Sequence, residues 1–378
     1  MSGLYLHIPF CKTRCIYCDF HSGTDMSLQQ RYVAALCREC RLRIEELRGE
    51  SIETVYLGGG TPSQLRPELL EELFEKLSEW VDWSRCTEIT MECNPDDLST
   101  AYLSVLRKLP INRISMGIQS FDDNDLRFLH RRHSGQTAID AVKRCQEAGF
   151  DNISIDLIYG LPRQTTEGWE ENIAKALALG VQHISGYSLI YEEGTVLKVL
   201  EAKGIIDECD DDTSLAMYDT LIDRLASAGY EQYEISNFAL IGKQSKHNSS
   251  YWQDKPYLGL GAAAHSYDRR SRRYNPSHTK VYIESIEADK CCYEEELLSE
   301  TDRFNDMLLT RLRTRKGIDL TEAERTFGPV SVRCLVRQSE PYIRRGTMEL
   351  SGRYLRITRR GIFITDTIVS DLFRIQDS

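Results

Sequence analysis

Residues 7–20 read His7-Ile8-Pro9-Phe10-Cys11-Lys12-Thr13-Arg14-Cys15-Ile16-Tyr17-Cys18-Asp19-Phe20. The three cysteines are spaced Cys-x3-Cys-x2-Cys, directly after an apolar segment, 4–8, that reads as a strand. Thiolates are the standard ligands of iron–sulfur clusters. Three of them on a four-iron cube leave one iron without a protein ligand, and an open metal position is where a substrate or second cofactor binds. On the residues alone a zinc site competes. It would need a fourth ligand, which His21 could supply.

Outward from this segment, short apolar stretches alternate with longer helical patterns. The predicted strands cover 4–8, 54–57, 88–91, 113–117, 152–158 and 183–189. Several are near-continuous apolar runs rich in Ile and Val, as expected of strands covered on both faces. Helical patterns fill 28–47, 68–80, 137–148 and 169–179, and the last two stop at Gly149 and Gly180. Six strand–helix units imply a parallel sheet, so the expected fold is α/β: an incomplete (β/α)6 barrel over residues 1–280. The pattern changes after about residue 280. Predicted helices at 302–312 and 320–327, a hairpin of 347–350 and 354–357 turning at Ser351-Gly352, and a last helix at 365–373 make 281–378 a small α+β domain of winged-helix type.

With 378 residues, the chain is too long for one ordinary core, which suits this two-part reading. A net charge of −11 argues against nucleic acid as a partner. The acidic run 207–212 reads as a solvated helix start. Locally, Arg269, Arg270, Arg272 and Arg273 cluster, as a solvated loop or as a clamp for carboxylates. We see no signal peptide and no run of about 18 apolar residues, so a cytoplasmic protein without a transmembrane segment is expected. Twelve cysteines fit a reducing compartment where clustered thiols bind metal. Cys37 and Cys40 form a CxxC inside a helical pattern and read as core, as do Cys86, Cys93, Cys145, Cys209 and Cys334; Cys291-Cys292 is ambiguous.

Polar residues gather at the predicted strand ends, where barrel sites lie. Gly58-Gly59-Gly60-Thr61-Pro62 follows the second strand; its glycines allow close approach to a ligand and its N–H groups can donate. Glu92 ends the third strand in MECNP and Gln119 the fourth in SMGIQSF. Asp156 lies in the apolar strand NISIDLIYGLP, where a carboxylate needs a partner or a ligand. Arg131 is either that partner or a contact to a ligand carboxylate.

The cysteine segment resembles the cluster motif of the radical S-adenosylmethionine superfamily. Almost the whole chain, the C-terminal part included, resembles the family of oxygen-independent coproporphyrinogen III oxidase (HemN) and the haem chaperone HemW. The resemblance implies a [4Fe–4S] cluster on Cys11, Cys15 and Cys18, with S-adenosylmethionine at the free iron. It implies cofactor contacts from Tyr5, Gly59, Gly60, Thr61, Glu92, Gln119, Arg131 and Asp156, and from Phe20 and Ile190. The glycine run would meet the amino group of S-adenosylmethionine.

Within that family two functions compete. Residues 246–252, Lys-His-Asn-Ser-Ser-Tyr-Trp, place a histidine near aromatics. On the residues alone His247 is a structural histidine or an axial haem ligand; HNxxYW resembles the HemW signature, which makes it a haem-binding candidate. The stretch 259–265, GLGAAAH, resembles the same branch and offers His265. The oxidase carries a fourth cysteine two residues beyond the third, where this chain has Phe20. The oxidase also has a long N-terminal extension for which a motif starting at residue 11 leaves no room. The resemblance therefore implies a haem chaperone that hands haem to acceptor proteins, such as membrane-bound respiratory subunits, or takes it from a haem donor, and that forms a homodimer. Radical decarboxylation of coproporphyrinogen III is the alternative.

Overall fold

The computed structural model describes residues 2–374. Six parallel strands form the centre of the molecule in chain order: β1 (Ser2–Ile8), β2 (Ile52–Gly59), β3 (Glu88–Cys93), β4 (Arg113–Gln119), β5 (Ile153–Tyr159) and β6 (His183–Ser188). Each matches a sequence-predicted strand to within one or two residues at its start. The short β7 (Glu231–Gln232) and β8 (Asn237–Ala239) add antiparallel beyond β6. On the other side, β9 (Tyr257–Leu260) runs parallel to β1, and β10 (His265–Tyr267), β11 (Ser271–Tyr274) and β12 (Glu294–Leu297) continue antiparallel. This is the expected incomplete barrel, widened at both edges by strands too short and polar to be legible in the sequence.

The central strands are buried on both faces, hence their unbroken apolar runs. Their helices start on side-chain caps: Ser99, Ser134, Thr165 and Thr195 each accept a backbone N–H of the following turn. Asp210 does the same in the acidic run, with Asp211 and Asp212 in the first turn of the helix Asp211–Ser227. The pattern 28–47 is divided into the helix Gln29–Arg43 and the 3-10 turn Ile44–Leu47.

A charged pair, Glu39 and Arg43, is deeply buried beside β9. Glu39 accepts from Arg43 (2.7 Å), the Gly261 N–H (2.8 Å), Asn275 (2.7 Å) and Tyr282 (2.7 Å). The GLGAAAH stretch is part of this clasp: a Cβ at Gly261 would lie 2.5 Å from the Tyr32 hydroxyl, and one at Gly259 2.0 Å from the His265 carbonyl. Those glycines answer to packing, and His265 itself is exposed, edge-on to Tyr274.

The expected division at residue 280 falls inside the helix Thr279–Glu287, whose Tyr282, Ile283 and Ile286 join the large core. A second core begins at Phe304. It unites the helix Glu300–Arg311, the helix Thr365–Leu372 and a sheet of β13 (Ile318–Asp319), β14 (Met348–Ser351) and β15 (Tyr354–Ile357). The helix expected at 320–327 does not end there. The backbone bends at Gly328 (φ +80°), and Pro329 restarts the helix, which reaches Arg345. Proline suits a first helical position because its missing N–H would have no partner there.

Candidate functional site

The loop that leaves β1 carries Cys11, Cys15 and Cys18 over the C-terminal ends of the strands. All three thiols face one cavity of about 450 Å³. Its wall includes Gly59, Gly60 and Thr61 after β2, Glu92 on β3, Gln119 on β4, Asp156 on β5, and Arg131. Phe20 and Ile190 stand at its rim, 64% and 62% exposed. Twelve residues singled out in the sequence therefore meet at one place, although they come from seven separate segments.

Two others do not reach it. Tyr5 lies outside the wall: its hydroxyl pairs with His7 Nδ1 (3.1 Å) and its ring stacks on Tyr56. His247 is fully buried, packed against β1 and β2. Its Nδ1 pairs with Thr54 Oγ1 (2.9 Å) and its Nε2 with the Tyr251 hydroxyl (2.8 Å), so neither nitrogen is left for iron. Burial pushes its pKa down to about 3, which keeps the ring neutral. The histidine of HNxxYW is in this state a structural group.

The glycine run acts differently from the expectation that it supplies N–H donors. The Gly60 N–H is spent on the Ile8 carbonyl (2.9 Å), the Thr61 N–H on Phe10 (2.8 Å) and the Gly59 N–H on Glu92 (3.1 Å). The run is small because it lies against the cysteine loop: a Cβ on Gly60 would be 2.8 Å from the Ile8 carbonyl, and one on Gly59 2.4 Å from the His7 ring. To a ligand ammonium this wall offers acceptors, of which Glu92 is one.

Glu92 accepts from Tyr56 (2.7 Å) and from Gly59. Burial, with the neighbouring Asp156 charge, nonetheless pushes its carboxyl up to about 7. Burial also raises Asp156, whose hydrogen-bond partner is Ser185. Arg131 is not its ion-pair partner. Instead Arg131 donates to Asn94 Oδ1, to the Gly117 carbonyl and to Cys15 Sγ (3.4 Å). Arg131 Nε has no partner among the described residues. Gln119 has φ +70° where β4 slips register against β5, and that bulge turns a side chain at a strand end into the cavity.

Asn94 was missed in the sequence. It belongs to the MECNP run that supplied Glu92, and a neutral amide after a strand gives no separate signal until Arg131 is seen to bond it. The four arginines near 270 mostly have carboxylates of their own: Arg273 holds Glu295 (2.8 Å) and Glu46 (3.0 Å), and Arg272 holds Asp306 and Glu296. Cys37 and Cys40 are buried in their helix and their thiols are pushed up to about 12 by burial, as core cysteines should be.

The residues present fit a thiolate-bound cluster. Three thiols open to one cavity, a guanidinium donates to one of them, and Thr61 Oγ1 lies 3.3 Å from Cys11 Sγ. Hydrogen bonds to cluster sulfurs are the usual protein contribution at such sites. His21, the fourth ligand a zinc site would need, pairs its Nε2 with Thr279 Oγ1 (3.1 Å).

Comparison with known proteins agrees with this geometry. Residues 5–176 match the Radical SAM superfamily and residues 298–364 the HemN C-terminal domain. A protein of Lactococcus lactis named Heme chaperone HemW is 38% identical, over 86% of this chain and 85% of its own length. The Bacillus subtilis protein of the same name is 36% identical over 87% of each chain. The crystallised HemN of Escherichia coli superposes with a TM-score of 0.84 over 98% of this chain and 90% of its own, at 21% identity, a likeness of fold. The cavity that gathers Cys11, Cys15 and Cys18 is the candidate site for the [4Fe–4S] cluster and S-adenosylmethionine of this superfamily, and the chain belongs to its HemN/HemW family.

Proposed function

We propose that this protein is a haem carrier, which binds haem and delivers it to acceptor proteins while the cluster and S-adenosylmethionine hold its binding state. The observation that carries the reading is the likeness to proteins named haem chaperones over 86% of the chain, whereas the likeness to the oxidase is one of fold. Phe20 supports it: where the oxidase pattern has a cysteine, an exposed phenyl ring stands at the rim of the cavity.

In this reading Cys11, Cys15 and Cys18 hold the cluster, and Arg131 steadies the Cys15 thiolate through its Nη1–H. Glu92 receives the ammonium of the amino acid, with Gly59, Gly60, Thr61, Gln119 and Asp156 shaping the wall. When bound, the cluster supplies a Lewis-acidic iron and one electron. Tyr5 braces this wall through Tyr56, which donates to Glu92. Among the described residues no helix is long and apolar enough to cross a membrane. We place the carrier in the cytoplasm, with haem-accepting proteins, membrane-bound respiratory subunits among them, or a haem donor as partners, and as a homodimer when loaded.

The test is a haem titration of anaerobically reconstituted protein beside an assay with coproporphyrinogen III, S-adenosylmethionine and a reductant. We expect a Soret band from bound haem and no protoporphyrinogen. Product formation would restore the oxidase reading, and absence of haem binding would remove the carrier. Replacing Cys11, Cys15 and Cys18 with serine should abolish iron and sulfide retention.

A further inference from the structure

A second cavity, of about 520 Å³, opens between the outer edge of the large sheet and the C-terminal domain. That size is within the range of about 300–1,000 Å³ typical of small-molecule sites. One wall is a row of tyrosines: Tyr251 and Tyr257 meet edge to face at 4.7 Å, and Tyr267 follows at 6.2 Å. The opposite wall belongs to the C-terminal domain, with Met307, Ile318 and Phe327.

Two groups in this cavity have no protein partner among the described residues. The Tyr257 hydroxyl makes no hydrogen bond, although the phenol is half-buried and within the fields of Arg272 and Asp306. The Arg303 guanidinium makes no ion pair or hydrogen bond and lies over the Phe327 ring at 5.9 Å. Both groups are open to the cavity, beside Asp254, Asp306, Asp319 and Glu322, and across an aromatic slot they suit a flat ligand with an electrophilic centre and a carboxylate.

The signature motif is wired to this wall. His247 and Tyr251, one turn apart, share a face of the helix Lys246–Tyr251. His247 stacks on Tyr56 at 5.2 Å on its inner side and bonds the Tyr251 hydroxyl on its outer side. Tyr251 lines the cavity and backs Tyr257. Rings thus run without a break from Tyr56, bonded to Glu92 in the cluster site, to the wall of the second cavity.

We propose that this second cavity is where the cargo haem binds, with Tyr257 as the axial ligand of the ferric iron and Arg303 on a propionate. The inference rests on the carrier reading and adds the place and the ligand. Tyrosinate is an established axial donor to ferric haem. As the iron–oxygen bond forms, the phenol proton leaves to water. His247 acts as a positioning residue, fixing Tyr251 behind the ligand.

The test titrates ferric haem, and separately iron-free protoporphyrin IX, into the full-length reconstituted protein and its Tyr257→Phe, Arg303→Gln and His247→Ala variants. The iron content of each variant reports an intact fold. The wild-type protein should show a phenolate-to-iron charge-transfer band. Tyr257→Phe should lose that band and bind haem roughly tenfold or more weakly, while its affinity for the iron-free porphyrin stays level. Arg303→Gln should weaken both porphyrins roughly tenfold and keep the band. His247→Ala should keep the band. If wild-type protein binds haem and Tyr257→Phe leaves spectrum and affinity unchanged, or weakens both porphyrins alike, Tyr257 is not the ligand and the site falls while the carrier reading stands. A band lost in His247→Ala but kept in Tyr257→Phe returns the ligand to the motif histidine. Wild-type protein that binds no haem removes carrier and site together.

Discussion

Glu92→Gln is the sharpest probe of the cofactor cavity. With its carboxyl raised from 4.5 to about 7, the ligand-free fold favours the protonated acid, and glutamine is close to an isostere of that form. At ~1.36 kcal/mol per pH unit this corresponds to about 3 kcal/mol of linkage. The sign follows from proton counts. Between pH 4.5 and 7 the unfolded chain has released this proton and the folded chain still holds it, so stability falls as pH rises through that window. The variant lacks the group. The stability difference, variant minus wild type, should therefore grow by about 3 kcal/mol from pH 4.5 to 7.5 and then level off. Urea denaturation of the ligand-free, reduced protein in that pH series would measure it. If Glu92 receives the ammonium, as proposed, S-adenosylhomocysteine should stabilise the wild type more at pH 7.5 than at pH 5. A difference that stays flat within about 0.5 kcal/mol across the series would refute the burial argument, and equal stabilisation of wild type and variant by S-adenosylhomocysteine would refute the assignment of Glu92 to a cation.

Gly60→Ala should cost about 1–3 kcal/mol in calorimetry and lower iron retention, because its Cβ would press on the Ile8 carbonyl at 2.8 Å. Gly23→Ala, beside the same loop but with open space, should be neutral within about 0.5 kcal/mol. Arg131→Met removes a donor and a positive charge from the Cys15 sulfur, so redox titration should find the cluster potential more negative. Arg132→Met should leave it in place, since Arg132 is bound to Asp96 and Asp97. Glu39→Leu should destabilise by about 3–5 kcal/mol in urea, since it breaks the buried pair with Arg43, which keeps only Glu46, and leaves the Gly261 N–H, Asn275 and Tyr282 without their acceptor.

The pattern of strands and the grouping of the three cysteines were legible because both are local signals. A strand covered on both faces must be apolar throughout, and three cysteines within eight residues on one loop are close whatever the rest of the chain does. The cofactor wall was legible for a related reason: in a parallel sheet every strand ends on the same face, so Glu92, Gln119 and Asp156 had to converge. The edge strands Tyr257–Leu260, His265–Tyr267 and Ser271–Tyr274 carry too few residues for a period to show.

What the sequence could not decide is the direction in which a side chain points and which neighbour takes its bonds. HNxxYW marks a histidine beside aromatics as a ligand candidate; only the packed structure turns His247 inward to Thr54 and leaves Tyr251 on a cavity wall. Arg131 could have met Asp156, and the fold gives it Asn94, Gly117 and Cys15 instead. Composition and spacing fix which groups a strand end can present. Satisfying each buried donor and acceptor is a problem in three dimensions, solved among residues far apart in the chain, and it is there that tertiary structure alone decides.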